Sequence, residues 1–161
     1  MTSIKFPDGS KKDFPDHVTG FEIAKSIGSS IFKNAIAIVA DGIQKDLNFE
    51  INNNCKIEII TKNSIKGLEI IRHDAAHVMA EAVKELYHNV QVTIGPPIEN
   101  GFYYDFVKKE PFNLEDLKKI EKKMHEIIKK YEKFQREVWS RITAEKFFKD
   151  QGENITLLVS T

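Results

Sequence analysis

The sequence predicts an α+β chain built as two small units, on three observations. In residues 1–62, two short strand-like segments, a capped helix and further strand-like segments follow one another. In residues 63–161, a long helical pattern leads into a hairpin signal and a second long helix. Apolar residues make up 41% of the 161, enough for packed cores.

The first unit opens with Ile4-Lys5-Phe6, a turn composition at Pro7-Asp8-Gly9-Ser10, and Lys11-Lys12-Asp13-Phe14, which together signal a hairpin. Thr19 can cap a helix from Gly20 to about Ile27, ended by Gly28. Phe21, Ile23, Ala24 and Ile27 are its predicted buried face. Ala35 to Ala40 is a continuous apolar run, as in a central strand, and Asp41-Gly42 closes it as a turn. Cys55 to Ile60 alternates and completes the unit. Two strands, a helix and then more strands is a β-grasp (ubiquitin-like) order.

Asn63 to Gly67 reads as a connector, with Ser64 a possible cap. From Leu68 to about His88, Ala75, Val78, Met79, Ala82, Val83 and Leu86 recur at helical spacing. Val90 to Ile94 reads as a strand, Gly95-Pro96-Pro97 breaks it, and Glu99-Asn100-Gly101 turns the chain. Phe102 to Val107 is the predicted antiparallel partner. Asn113 starts a long helix, with Asp116 three residues on. Leu114, Leu117, Ile120, Met124, Ile127, Ile128, Tyr131 and Phe134 form its apolar stripe. Arg136 to Ile142 reads as a short strand. Thr143 caps a helix through Phe148, ended at Gly152, and Ile155 to Val159 reads as a last strand. There is no repeat and no low-complexity segment.

Charge excludes little. Lys and Arg total 24 and Asp and Glu total 24, so any RNA contact must come from a local patch. With a single cysteine, Cys55, no intrachain disulfide forms, and a reducing compartment fits. No apolar run has the length of a signal peptide or membrane span, so the chain reads as soluble and cytoplasmic.

The chemistry concentrates in Arg72-His73-Asp74-Ala75-Ala76-His77. Histidines four residues apart share one helix face, about 6 Å apart. That face lies nearly opposite the Ala75, Met79, Ala82 and Leu86 stripe. Three readings stay open: a solvated face, a metal site, or a proton acceptor and its partner for a hydrolytic water, since unperturbed imidazole titrates near neutral pH. A zinc peptidase helix would carry glutamate right after the first histidine; here Asp74 stands there. His17, His88 and His125 are scattered, so no third ligand is evident and no metal is assigned. On the second long helix, Lys118, Lys122, Lys129, Lys133 and Arg136 fall in one sector, interrupted by Glu115 and Glu126. A solvated face or contact with RNA phosphates both account for that row.

Leu68 through His73, His77 and Ala80, followed by Ile94-Gly95-Pro96-Pro97-Ile98-Glu99-Asn100-Gly101-Phe102-Tyr103-Tyr104-Asp105-Phe106, closely resembles the editing domain of bacterial threonyl-tRNA synthetases. The unit ahead of it resembles the TGS domain of the same enzymes. Likeness covers about residues 1–153. It implies a TGS β-grasp domain over residues 1–62 and the N-terminal part of an editing domain over residues 63–161. In that family the editing domain hydrolyses serine wrongly attached to threonine tRNA. The resemblance implies that His73 and His77 line the editing pocket, His73 as general base and His77 orienting water or the terminal ribose. Tyr104 and Gly95 would lie against the substrate. It implies tRNA(Thr) as partner, homodimerisation through other domains, and ATP, magnesium and zinc for the full-length enzyme but no cofactor in this stretch. The family's later S-x-C-x-G-x-H element, its aminoacylation core and the Y-K-x-E pattern after Gly152-Glu153 are not in these residues. The expectation is therefore a chain ending at an artificial boundary or a disrupted frame, with weak or no editing by itself. The other classes are a standalone RNA-binding or regulatory module with inert histidines, and a metal-dependent hydrolase.

Overall fold

The computed structural model describes residues 1–132 and 137–150. By packing, the chain divides into Met1–Ile71 and Arg72–Thr161.

In the first unit, β1 (Thr2–Lys5) and β2 (Lys11–Phe14) form the predicted hairpin, with Lys5 opposite Lys11. Its turn is held by the Asp8 carboxylate, which accepts from the Ser10 N–H and hydroxyl. A two-residue β3 (Val18–Thr19) precedes α1 (Gly20–Ile27). Thr19 caps α1 in a reciprocal box: its hydroxyl accepts from the Glu22 N–H, and the Glu22 carboxylate accepts from the Thr19 N–H. A short α2 (Ser29–Asn34) follows, then β4 (Ala35–Ala40), β5 (Ile43–Asp46), β6 (Glu50–Ile51) and β7 (Cys55–Thr61). Asp41 and Gly42 both take positive φ, 47° and 84°, the backbone that a two-residue hairpin turn requires. The five-stranded sheet has the order β2-β1-β7-β4-β5, with β1 parallel to β7 and β4 antiparallel to it. Ile4, Phe14, Val18, Ile23, Ile38, Ile51 and Ile57 are its core. Phe21 and Ile27, predicted on the buried face of α1, are each 46% exposed. The eight-residue helix is too short to turn four apolar side chains onto the sheet, and Phe21 meets Phe32 of α2 edge-on instead, 4.7 Å between centroids.

The helix α3 (Ile65–Leu86) begins at Ser64, whose hydroxyl accepts from the Gly67 N–H. In the second unit the predicted hairpin is present but broken. β8 (Gln91–Val92) pairs with β11 (Phe106–Val107), and β9 (Pro97–Ile98) with β10 (Gly101–Phe102). Phe102–Val107 is thus not one strand; Tyr103 to Asp105 interrupts it, although Thr93 and Ile94 still exchange backbone hydrogen bonds with Asp105. The helix α4 (Leu114–Lys129) starts at Asn113 in a capping box with Asp116, as predicted. Ala82, Val83, Val90, Ile120 and Ile127 make the core, with Met79, Leu86 and Phe106 packed on it. Leu114 (78%), Leu117 (53%) and Ile128 (54%) of the predicted apolar stripe are exposed, because the core meets only the Ile120–Ile127 line of the helix. The predicted strand from Arg136 to Ile142 is absent among the described residues. A last helix, α5 (Arg141–Asp150), starts there instead, and Ser140 rather than Thr143 caps it, its hydroxyl accepting from the Thr143 N–H. Phe134, Gly152 and Ile155–Val159 lie outside the described residues.

Asp116 ties α3 to α4. One carboxylate oxygen accepts from the Asn113 N–H at 3.1 Å and the other from the Tyr87 hydroxyl at 2.8 Å. The Asn113 backbone bond first, and the Tyr87 bond next, hold the Asp116 carboxyl below the usual carboxylate range. A depressed carboxyl contributes stability that is present above its unfolded pKa and lost as pH falls through the folded one. Replacing Asp116 with Asn therefore flattens the acid limb of the stability–pH curve, as thermal melts of both chains across that limb will read.

Candidate functional site

His73 and His77 lie on α3 and are both exposed. Helical periodicity places them on one side, and their rings touch. The two Nε2 atoms are 2.9 Å apart, with centroids 4.6 Å apart and planes at 66°. A contact of that length between ring nitrogens is an N–H···N hydrogen bond, so one Nε2 carries a proton and the other accepts it. Protonating both rings destroys this bond. Water reaches the pair, while the next residues round the helix, Ala76 and Ala80, are buried at 1% and 7%. The pair thus sits at the boundary between solvent and a packed surface. Sequence periodicity placed Ala75 on the core side and overlooked these two alanines.

Asp74 follows His73 on the helix. Loss of water around its carboxyl raises it, and the neighbouring His73 and His77 act in the opposite direction. No group of three or more His, Cys, Asp or Glu side chains is placed to hold a metal ion among the described residues.

Two further contacts position the hairpin. The Arg72 guanidinium, immediately before His73, donates to the carbonyl of Glu99 in the hairpin turn. Sequence reasoning missed it, since a side chain reaching a backbone carbonyl leaves no pattern. Gly95 lies under the Tyr104 ring: a Cβ there would fall 2.1 Å from Tyr104 Cδ2. Tyr104 also stacks on Phe106, with centroids 5.1 Å apart and planes at 25°. Gly95 and Tyr104 are therefore one packing unit, half-buried at the ring. Any side chain at position 95 displaces the tyrosine.

On α4, Lys118, Lys122 and Lys129 are exposed, and none of the three has an ion pair among the described residues. With Glu121, His125 and Glu126 they line an open groove of about 410 Å³. His125 belongs to this row, which sequence reading had set aside as a scattered surface histidine. Lys133 and Arg136 lie outside the described residues.

Residues 2–61 match the family model for the TGS domain. Most of the chain is similar to curated relatives named "Threonine--tRNA ligase". It is 53% identical over 151 residues to that of Bartonella quintana (strain Toulouse) and 57% identical over 152 residues to that of Agrobacterium fabrum (strain C58 / ATCC 33970). Each match covers 94% of this chain. The similarity is thus to one region of threonine–tRNA ligases. The chain spans 23% of the length of those relatives. The resemblance carried by the two-histidine helix and the Gly95–Phe106 run is thus borne out for the family, and the TGS domain gives the β-grasp expectation a named counterpart. No helix of the described residues is long and apolar enough to cross a membrane.

Proposed function

We propose that this region of a threonine–tRNA ligase binds the acceptor arm of threonine tRNA and contributes to hydrolysis of serine misattached to it. The observation that carries the reading is the solvent-exposed imidazole pair, sharing one proton across 2.9 Å on a helix tied to the Gly95–Tyr104 hairpin through Arg72. The need for such a site is physical. Serine lacks one methyl of threonine, and a binding pocket rejects that difference by only about 1–3 kcal/mol, so a second, hydrolytic site must remove the error.

In the neutral pair, one ring donates through Nε2 and keeps a free lone pair on Nδ1. A water attacking the aminoacyl ester gives its proton to that ring, and the shared Nε2 proton moves towards the partner. The bond from water oxygen to carbonyl carbon forms, the ester C–O bond breaks, and the terminal ribose hydroxyl takes up the returning proton. His73 is assigned as base and His77 as the partner that spreads the charge and orients water or ribose. Tyr104, held by Gly95 and Phe106, is assigned to contact the terminal adenosine or the ester region. The ligase's ATP, magnesium and zinc have no assigned residues among these 161, and homodimerisation is assigned to other domains.

A chimera tests the reading: this chain replacing the corresponding region of the Bartonella quintana relative, with aminoacylation as the folding control. The chimera is expected to deacylate Ser-tRNA(Thr), whereas the relative deleted for the region is not. A chimera that aminoacylates but leaves Ser-tRNA(Thr) intact contradicts it. The chain alone is expected to deacylate slowly or not at all, since these 161 residues hold no S-x-C-x-G-x-H element.

Lys118, Lys122 and Lys129 are proposed to contact tRNA phosphates. Each phosphate neutralised contributes roughly 0.7–0.9 to the slope of log K against log salt. Changing all three to Gln in the chimera should therefore lower that slope by about 2 to 3. A slope unchanged in filter-binding titrations removes the row from the interface.

A further inference from the structure

The imidazole pair on α3 has a property that proton sharing does not use. Its two Nε2 atoms converge to 2.9 Å, and both rings are exposed. Bonds from a divalent transition metal to imidazole nitrogen are about 2.0–2.1 Å long. Two such bonds at a right angle span about 2.9 Å, and at the tetrahedral angle about 3.3–3.4 Å. The separation of the rings therefore equals one edge of a square-planar or tetragonal coordination sphere, the geometry that Cu(II) and Ni(II) prefer. A tetrahedral ion has to push the rings apart by about 0.4 Å. Arg72, the cation next in sequence, is turned to the Glu99 carbonyl and leaves the pair open. The other described histidines offer no such chelate. His17 Nδ1 lies 3.1 Å from the Glu50 carboxylate, His88 lines a groove with Lys108 and Lys109, and His125 stands among Lys118, Lys122 and Lys129.

We propose that His73 and His77 form a two-ligand chelate for a borderline divalent transition ion of the Cu(II) type, and that its occupation silences the pair. In the neutral pair, one ring carries its proton on Nε2 and the other on Nδ1. When the ion takes both Nε2 lone pairs, the first proton moves to Nδ1 of its own ring. The N–H···N bond breaks, two metal–nitrogen bonds form, and no proton leaves the pair. Each ring need only turn to aim its Nε2 beside the line joining them, and exposed rings are free to do so. Two protein nitrogens leave the remaining positions to water, because no third His, Cys, Asp or Glu joins them among the described residues. Silencing rests on the hydrolytic reading above: with Nε2 on the ion and a proton on Nδ1, neither ring keeps a lone pair to accept a proton from water.

The ion itself is the probe. Cu(II) is titrated into the whole chain, free of any histidine tag and carrying Cys55→Ser so that no thiol reduces the metal. Ni(II), which a thiol does not reduce, is titrated into the native chain by calorimetry. One ion per chain is expected, with the pulsed-EPR modulation of two coordinated imidazoles. His73→Ala and His77→Ala should each weaken binding at least about tenfold, since the second nitrogen then has no tethered partner. Unchanged affinity and spectrum in the His73→Ala/His77→Ala chain would mean an adventitious ion only and overturn the proposal. A one-imidazole spectrum overturns it too, because the rings then do not converge on the ion. In the chimera, one equivalent of Cu(II) should lower Ser-tRNA(Thr) deacylation towards the rate of the double variant, with recovery on adding a chelator. Undiminished deacylation alongside the two-imidazole spectrum overturns the silencing. A chimera with no deacylation to silence counts against the hydrolytic reading instead, and the spectrum of the whole chain decides the chelate separately.

Discussion

Replacing His73 by Ala in the chimera is expected to lower the rate of Ser-tRNA(Thr) deacylation by about 10²–10⁴-fold, the range of a lost general base. The fold should not register the change. His73 is exposed, and surface substitutions away from special features usually stay within about ±0.5 kcal/mol. The double variant with His77→Ala should cost little more than His73→Ala alone. The two rings share one proton across their Nε2 atoms, so removing either dismantles the same device, and such units are non-additive. His77→Asn, which keeps a polar partner on the same turn, should fall between the native chain and His73→Ala. Single-turnover rates of these four chains and of His77→Ala measure it. Additive losses from the two single substitutions would mean that the rings act separately.

The second large effect lies in the core of the TGS domain. Ile38 is fully buried on β4, in the middle of the sheet, and packs against the start of α1. Its fit is made possible by Gly20: a Cβ at that position would stand 2.7 Å from Ile38 Cγ2 and 3.2 Å from the Leu47 carbonyl oxygen. The helix therefore approaches the sheet as closely as a missing side chain allows. Ile38→Ala should destabilise the unit by about 2–5 kcal/mol, through lost burial and the cavity left behind. Gly20→Ala should cost about 1–3 kcal/mol by overpacking. Combining Gly20→Ala with Ile38→Ala removes the clashing Cγ2, so the pair should cost less than the sum. Denaturant melts of the four chains give the coupling, and strict additivity would show that the helix and strand move apart freely.

These two predictions draw unequally on the sequence. Much of the first unit was legible because its signals are local. Thr19 with Glu22 three residues on marks a helix start, and Asp41-Gly42 marks a two-residue turn, whatever packs around them. The helix Ser29–Asn34 was not legible. It follows Gly28 with no side-chain cap and owes its place to Phe32 resting on Phe21. The second hairpin was read as longer than it is, because Phe102 to Val107 has strand composition throughout. What interrupts it is a tertiary fact, the Tyr104 ring lying over Gly95. Likewise, β-branched and aromatic residues between Arg136 and Ile142 suggested a strand, whereas Ser140 caps a helix and Trp139 meets Phe147 at 4.7 Å. At the candidate site, spacing alone put His73 and His77 on one face. The hydrogen bond between their rings depends on two side-chain torsions, and the Arg72–Glu99 contact on a chain reversal, and neither leaves a trace in residue order.

The hydrolytic role of the histidine pair is tested most directly by the single-turnover deacylation rate of the chimera beside that of its His73→Ala/His77→Ala chain, with aminoacylation as the folding control. The exposed, hydrogen-bonded pair predicts equal aminoacylation and a deacylation rate lower by about 10²-fold or more in the double variant. Comparable deacylation rates for the two chains would contradict it.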